Sequence, residues 1–279
     1  MIYLSPTVYL FPGVDTWWEW FERSFDNTSH NLPTRYNNND VVLRYSTEGA
    51  INAKPGKSIA LCWELLPELK RVFNSNEWDS RIGVIFAAAK SCDRILITTE
   101  FARADYEPYG RVDNLPIGVD TDFFRSYSEE ERYAVKMKYG VPLDKEVGFW
   151  CGSPHPMKGS ENLRVYAREN PDIYWILVWY SGTRGFPINA QHHQSVSQAT
   201  LVELMNCADF QLGTSLLRPY YIVEYEGMSC NLKQRKITNL PKDFEVGDNP
   251  RNVIFEKKWD RHTCKQLYKH YIDELINGK

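Results

Sequence analysis

Two loops in the second half of the chain carry residue types that bind phosphate. The first, CGSPHPMKG, follows an apolar segment, and its next-to-last residue, Lys158, lies at the start of a helical pattern. A lysine beside the backbone N–H groups of a helix amino terminus stabilises negative charge on a phosphate or a leaving diphosphate. The second loop follows a short apolar strand at residues 210–212, contains Pro219, and leads into a helix that includes Glu226. Both loops would follow the carboxyl ends of strands, where open α/β sheets bind nucleotides.

The elements around these loops predict an α/β domain that begins near residue 125. Ser128 and Glu131 have the spacing of a capping box, and Gly140 ends the helix that they begin. Apolar runs at residues 146–151 and 172–180 predict buried parallel strands. Helices are predicted after Gly159 and after Ser197, so that strands and helices alternate as in a Rossmann-like domain.

The first half shows the same alternation. Residues 1–11 read as a strand broken by Pro12 and Gly13, and an aromatic helix with a capping box follows. Residues 40–45, 58–63 and 93–97 predict further buried strands. A helix is expected near residues 81–90, and another is expected to open at residues 99–101.

One stretch is predicted to be a loop, another reads as polar, and a long helix is predicted after it. Residues 181–195 read as a loop with His192 and His193 exposed, and residues 233–258 read as a polar segment. The final helix, at residues 260–276, places apolar and aromatic side chains on one face: Leu267, Tyr268, Tyr271, Ile272 and Leu275.

The totals set limits on the class of protein. A length of 279 residues suits two domains, and a net charge of −3 argues against a broad nucleic-acid footprint. Six cysteines without CxxC spacing argue against a zinc site and favour buried, reduced thiols in a cytoplasmic setting. No apolar run is long enough to span a membrane, and the first residues lack the features of a signal peptide.

Four strings resemble the retaining GT-B glycosyltransferases, the family that includes sucrose and glycogen synthases and many bacterial glycan-building enzymes. Residues 208–232, ADFQLGTSLLRPYYIVEYEGMSCNL, are similar to the donor-sugar motif of that family. Residues 152–159 resemble its Gly-Arg…Lys-Gly loop, and residues 196–209 resemble the segment that follows its base pocket. Residues 93–124, which end in PIGVDTDFF, resemble the string that closes its first domain.

The resemblance implies a fold and an activity. It implies an α/β fold of two Rossmann-like domains facing each other across a cleft: an acceptor-side domain at residues 1–124 and a nucleotide-sugar domain at residues 125–279. The helix at 260–276 would cross back to the first domain. The implied reaction moves a hexosyl or pentosyl group from a nucleotide-diphosphate sugar, UDP- or GDP-linked, to an acceptor with retention of configuration and without a metal.

The resemblance also implies a set of site residues. Lys158, Arg218 and Glu224 are the catalytic candidates. Glu226 holds the place of the family's ribose-binding glutamate, whose carboxylate accepts hydrogen bonds from a diol. The remaining donor-binding candidates are Gly13, Gly152, Ser153, His155, Tyr180, Val196, Tyr220 and Tyr221.

Two positions depart from the family pattern. Arg218 stands where the family has its first glutamate, and Ser153 stands where the family has an arginine. We expect Arg218 to compensate for Ser153 by pairing with the diphosphate, while Glu224 is the nearest carboxylate that could replace the missing one. Asn231 replaces a glycine after the helix and can still adopt the left-handed conformation.

Three functions remain open at this point. The chain could glycosylate a glycan or a small molecule, or it could modify a hydroxylated base in DNA. It could also be an inactive module that binds a sugar nucleotide or a glycan. The sequence does not give the sugar, the nucleotide, the acceptor or the oligomeric state.

Overall fold

The computed structural model describes the backbone of residues 2–4, 28–29 and 41–45, and then residues 57–62, 66–116, 118–153, 156–179, 189–217, 221–237 and 249–277. These residues form two compact units. One contains the first six strands and the C-terminal helix, and the other is built from Val119–Asp260.

The first unit is built on a parallel sheet. Its described strands are β1 (Ile2–Leu4), β2 (Thr28–Ser29), β3 (Val41–Tyr45), β4 (Lys57–Cys62), β5 (Arg94–Ile97) and β6 (Val112–Asn114), in the order β2-β1-β3-β4-β5-β6. Every pairing between neighbours is parallel. The strands predicted at 40–45, 58–63 and 93–97 are therefore confirmed as β3, β4 and β5, each shorter than predicted by one residue or shifted by one.

Three helices of the first unit lie between β4 and β6 in the chain. They are α1 (Leu66–Phe73), α2 (Asp79–Lys90) and α3 (Arg103–Tyr106), and 3₁₀ turns at Glu100–Ala102 and Glu107–Tyr109 flank α3. The helix expected after Thr99 is thus a single α-helical turn between two 3₁₀ turns. Pro108 explains its end, because proline lacks the N–H that a longer helix would need.

The C-terminal helix α9 (Arg261–Asn277) is joined to this sheet by a buried cation. Arg94 on β5 is only 2% exposed, and its guanidinium donates to the Tyr271 carbonyl (3.0 Å) and to the Glu274 carboxylate (2.5 Å). Asp113 on β6 lies 3.1 Å from the same guanidinium. Because a buried charge is costly unless it is paired, α9 completes the environment that Arg94 requires.

The second unit alternates strands and helices around another parallel sheet. Its elements are α4 (Glu129–Tyr139), β7 (Val147–Cys151), α5 (Ser160–Glu169), β8 (Tyr174–Trp179), β9 (Ala190–Gln194), α6 (Gln198–Cys207), β10 (Phe210–Gly213), α7 (Ile222–Ser229), β11 (Lys233–Lys236) and α8 (Pro250–Glu256). The sheet order is β11-β10-β7-β8-β9, with parallel pairs throughout. This is the Rossmann order, in which the chain reverses direction across the sheet between β7 and β10.

Alternate residues of β7 enter two different cores. Phe149 packs in a cluster with residues of α6 and α7, whereas Trp150 packs in a second cluster with Leu163 of α5. Side chains of successive strand residues point to opposite faces of a sheet. Helices α5 and α7 therefore cover opposite faces of the sheet. The loops that lead to them start side by side at the switch point, because β7 and β10 are neighbours.

Local sequence signals begin and end the helices of this unit where the sequence predicts. The Ser128 and Glu131 capping box is formed at the start of α4, and Gly140 ends that helix with φ 64°. Ser197 caps α6 by accepting a hydrogen bond from the Thr200 N–H at 3.1 Å. Asn231 follows α7 with φ 63°, which confirms the left-handed turn expected there.

The prediction of a loop at residues 181–195 is wrong for Ala190–Gln194, which form β9. Lys233–Lys236, within the segment that reads as polar, form β11. Both are edge strands of the sheet and carry polar side chains, so neither shows the apolar pattern of a buried strand. His192 is exposed as expected, but His193 is half-buried with its ring edge-on to Tyr139.

Candidate functional site

Hydrogen bonds tie the two switch-point loops together. Thr214, directly after β10, accepts a hydrogen bond from the indole N–H of Trp150 (2.9 Å) and donates one to the Lys158 carbonyl (2.5 Å). The Leu216 N–H donates to the Met157 carbonyl at 3.1 Å. The loop after β7 and the loop after β10 therefore form one connected surface at the carboxyl edge of the sheet.

Gly159 allows this close approach. Its φ is 67°, and a Cβ at this position would overlap the backbone carbonyl of Thr214. Both the conformation and the missing side chain are therefore required here. Gly159 is also the N-cap residue of α5, so no side chain caps the amino terminus of that helix.

Lys158 lies at the centre of this surface. Its ammonium nitrogen is 2.9 Å from the centre of the Tyr221 ring, which is the geometry of a cation–π contact. Tyr221 is the N-cap residue of α7. Loss of solvation raises the pKa of its phenol to about 12, so the ring is neutral at neutral pH. The lysine of the first loop thus rests on an aromatic residue of the second.

Glu226 lies on α7, close to the same point. It is buried, and Gly227 beside it lets α7 approach β10, because a Cβ there would overlap the side-chain amide of Gln211. Cys151, the last residue of β7, is influenced by both site charges. Loss of solvation and the Glu226 carboxylate raise the pKa of its thiol, the Lys158 ammonium lowers it, and the net pKa is about 12. The structure therefore brings the charges of Lys158 and Glu226 around one thiol.

Glu224 is engaged at the start of α7. One carboxylate oxygen accepts a hydrogen bond from the Tyr221 N–H at 2.6 Å, and the Glu224 N–H donates to the Tyr221 carbonyl at 2.9 Å. The other oxygen, Oε1, faces Gly213 and is buried without a hydrogen-bond partner among the described residues. Glu224 therefore fixes the helix start, and one of its oxygens retains unused acceptor capacity.

Of the remaining predicted site residues, three are described by the structure and five are not. The Gly152 N–H donates to the Val178 carbonyl at 2.9 Å, so it is already occupied within the sheet. Ser153 is half-buried, and Val196 packs against the core of the second unit after β9. Five predicted residues lie outside the described part of the chain: Gly13, His155, Tyr180, Arg218 and Tyr220.

Sequence reasoning missed Thr214 and Trp150. Neither residue is charged, and neither was named as a candidate. Together they hold the Lys158 loop against the end of β10 through two hydrogen bonds. A hydroxyl residue directly after a switch-point strand was the available signal, because the first residue after such a strand faces the neighbouring loop.

The described ranges contain neither a candidate metal site nor a candidate membrane span. No three His, Cys, Asp or Glu side chains there are grouped so that they could hold a metal ion. No described helix combines the length and apolar character needed to cross a membrane.

The fold is similar to that of solved glycosyltransferases. No family profile matches the chain, and no curated protein is detectably similar in sequence. Sucrose-phosphate synthase from Thermosynechococcus elongatus superposes with a TM-score of 0.62 at 12% identity, over 85% of this chain and 69% of that one. Anabaena Alr3699/HepE, solved with UDP-glucose, gives 0.62 at 14% identity over 78% and 72%. The catalytic domain of starch synthase IV from Arabidopsis thaliana, bound to ADP and acarbose, gives 0.55 at 10% over 85% and 73%.

These similarities concern architecture, since the identities are 10–14%. They agree with the parallel sheets and the Rossmann strand order described above. The chain thus has an α/β fold with parallel sheets that is similar to the folds of solved glycosyltransferases.

Proposed function

We propose that this chain is a retaining, metal-independent glycosyltransferase that uses a nucleotide-diphosphate sugar. The observation that carries the proposal is the joined pair of loops at the β7–β10 switch point, with Lys158 on one loop and Glu226 on the helix after the other. The fold similarity supports the same reading, and two structural neighbours were solved with UDP-glucose and ADP.

The leaving diphosphate would lie between these two loops. As the glycosidic bond breaks, negative charge accumulates on the diphosphate, and the Lys158 ammonium would stabilise it. The amino terminus of α5, which begins directly after Gly159 and has no side-chain cap, would add its backbone N–H groups. Arg218 remains a proposed second cation. These groups supply the positive charge that a divalent metal provides in other transferases.

The nucleoside would extend along the carboxyl edge of the sheet. The carboxylate of Glu226 would accept hydrogen bonds from the ribose hydroxyls. Strand β9 lies two strands away from β7, which at normal strand spacing is about 10 Å. The segment after β9, which contains Val196, would border the base, as proposed also for Tyr180.

The acceptor side rests on the first unit. The division into two units and their parallel sheets support the proposal of two Rossmann-like domains. We propose further that these domains face each other across a cleft and that residues 1–124 bind the acceptor. The contacts of α9 with Arg94 support the proposal that the last helix returns to the first domain. We propose a cytoplasmic location for this reaction.

The test is a donor panel with a charge variant. Purified protein would be incubated with radiolabelled UDP-, GDP- and ADP-sugars, and release of free sugar or transfer to added acceptors would be measured with and without EDTA. We expect turnover of one donor, no effect of EDTA, and a loss of about 100-fold in kcat/KM for Lys158→Ala, because one preorganised oxyanion donor is removed.

Lys145→Ala is the matched control, since Lys145 is exposed and lies outside the two loops. Equal activity of Lys158→Ala and Lys145→Ala would contradict the proposed role of Lys158. Turnover that disappears with EDTA and returns with Mg²⁺ would contradict metal independence.

One observation favours a second candidate, an inactive sugar-nucleotide or glycan-binding module. Glu224, the nearest replacement for the carboxylate missing at Arg218, is committed to the helix start through one of its oxygens. Nucleotide binding without turnover of any donor in the panel would identify this alternative.

The DNA-modifying alternative gains no comparable support. Within the basic run of β11, Arg235 is paired with Glu146 (2.5 Å) and stacks on the Phe210 ring at 3.7 Å. Its charge is therefore partly compensated on the protein. Salt-sensitive binding to duplex DNA would revive this alternative.

A further inference from the structure

The contact between Lys158 and Tyr221 joins two loops that are separately fixed. The carbonyl of Lys158 accepts the hydrogen bond from Thr214, so the lysine backbone is held against β10. The N–H of Tyr221 donates to Glu224, and its carbonyl accepts from the Glu224 and Tyr225 N–H groups, so the tyrosine backbone is held at the start of α7. The lysine side chain and the tyrosine ring therefore meet between two fixed backbone segments.

The face of the tyrosine ring restricts the lysine side chain. A mobile lysine side chain loses rotamer entropy when a ligand captures its ammonium. A cation held on an aromatic face is stabilised there by the ring quadrupole. The Tyr221 ring therefore offsets part of the ordering cost before any ligand arrives.

We propose that Tyr221 is a positioning residue, whose ring holds the Lys158 ammonium at the switch point in readiness for a nucleotide diphosphate. This inference rests on the proposed function and adds to it. It assigns Tyr221 a role other than stacking on the donor, because the ring face at this side is covered by the ammonium. The phenolic hydroxyl is not needed for that role.

The experiment measures UDP and GDP binding by calorimetry for wild type, Tyr221→Leu, Tyr221→Phe, Lys158→Ala and the Lys158→Ala/Tyr221→Leu pair. Loss of the ring face in Tyr221→Leu should weaken binding about three- to tenfold. Tyr221→Phe should restore the affinity lost in Tyr221→Leu. The double variant should bind no more weakly than Lys158→Ala, because the ring acts through the lysine. Tyr133→Leu, at an exposed tyrosine on α4, is the matched control.

A second readout observes the contact without a ligand. Reductive ¹³C-methylation keeps the lysine charge, and the Lys158 methyl signal, assigned by its absence in Lys158→Ala, should show an upfield aromatic shift. That shift should vanish in Tyr221→Leu and persist in Tyr221→Phe. Unchanged urea midpoints would exclude general unfolding as the cause of weaker binding.

The outcomes separate the two proposals. If Lys158→Ala weakens binding and Tyr221→Leu does not, the positioning role is wrong while the proposed function stands. If the two losses add in the double variant, Tyr221 contacts the nucleotide directly and the inference is again overturned. If neither nucleotide binds to wild type, the proposed function fails and the inference fails with it.

Discussion

At the scale of single residues, the site depends on a glycine that no other residue can replace. Gly159 has φ 67°, and a Cβ there would overlap the Thr214 carbonyl, which is backbone and cannot rotate away. We expect Gly159→Ala to lower the free energy of unfolding by more than about 2 kcal/mol, since conformational strain and a backbone clash act together. Urea unfolding followed by circular dichroism measures the change.

Gly140 supplies a matched control for that prediction. Its φ of 64° is almost the same, but nothing lies within 4 Å of a Cβ placed there. Gly140→Ala should therefore cost only about 1–2 kcal/mol, the strain of a left-handed alanine. Equal losses in the two variants would show that the approach of Gly159 to Thr214 contributes nothing.

Glu226 gives the second prediction at this scale. If its carboxylate binds the ribose diol, Glu226→Gln should raise the Kd for UDP by about tenfold, because a charge-assisted hydrogen bond is worth about 1.5–3 kcal/mol. The same substitution should change the Kd for 2′-deoxy-UDP much less. Glu256→Gln, at an exposed position on α8, is the control. An equal loss for both nucleotides would contradict the contact with the diol.

The sequence predicts some of these residues better than others. Lys158 can be found because a lysine at a helix start after a strand has a known electrostatic use. The partner of its ammonium cannot be found that way, because Tyr221 is 63 positions away and the contact depends on how two loops meet across the sheet. Glu224 shows the opposite difficulty. Its carboxylate made it a catalytic candidate, but in the structure that carboxylate accepts a hydrogen bond at the start of α7.

At the scale of elements, α4 is stabilised by a pH-dependent helix start. The Glu131 carboxylate accepts hydrogen bonds from the Arg125 guanidinium (2.7 Å) and from the Ser128 N–H (2.8 Å), and these lower its pKa from 4.5 to about 2. The folded pKa lies below the unfolded one. The contribution is therefore complete above about pH 4.5 and is lost as the pH falls towards 2.

This sign gives a direct test. Glu131→Gln should lower the urea midpoint at pH 6, and the gap between wild type and variant should shrink as the pH is taken from 4.5 towards 3. Glu129→Gln, in the same helical turn, is the control. A gap that stays constant with pH would mean that the ionised carboxylate is not what stabilises α4.

Elements are predictable where their signals are local. The capping box, the left-handed glycine and the apolar runs gave α4, β7, β8 and β10 with bounds close to those observed. The edge strands β9 and β11 were missed because their polar side chains carry no burial pattern, and only the neighbouring strand defines them. Strand β10 was found despite being short because Phe210 and Leu212 give it an apolar character, and all four of its residues are buried.

At the scale of the whole molecule, the first unit depends on a helix from the other end of the chain. Glu274→Gln should weaken the pairing of the buried Arg94 guanidinium, and hydrogen exchange should become faster in β4, β5 and α9. Peptides from the second unit should keep their protection. Glu256→Gln is again the control, and faster exchange throughout the second unit in Glu274→Gln would contradict this division.

The overall topology was partly predictable. Alternating strands and helices gave parallel sheets in both halves, and the structure confirms them. The strand order could not be obtained from local patterns, because it depends on which strands pair after the chain crosses the sheet. The two compact units divide between residues 118 and 119, and the domain boundary at residue 124, taken from the end of one recognisable string, stays a prediction.

The discontinuous first unit also affects the order of assembly during synthesis. Residues 119–260 leave the ribosome as one segment that contains every described strand of their sheet, so we expect this part to become compact while translation continues. We expect the sheet that precedes it to be completed later, because Asp113 on β6 already pairs with the guanidinium on β5 but Tyr271 and Glu274 emerge only afterwards. The earlier half of the nascent chain is therefore the later half to mature, and it is the part that would most need protection from aggregation in the interval.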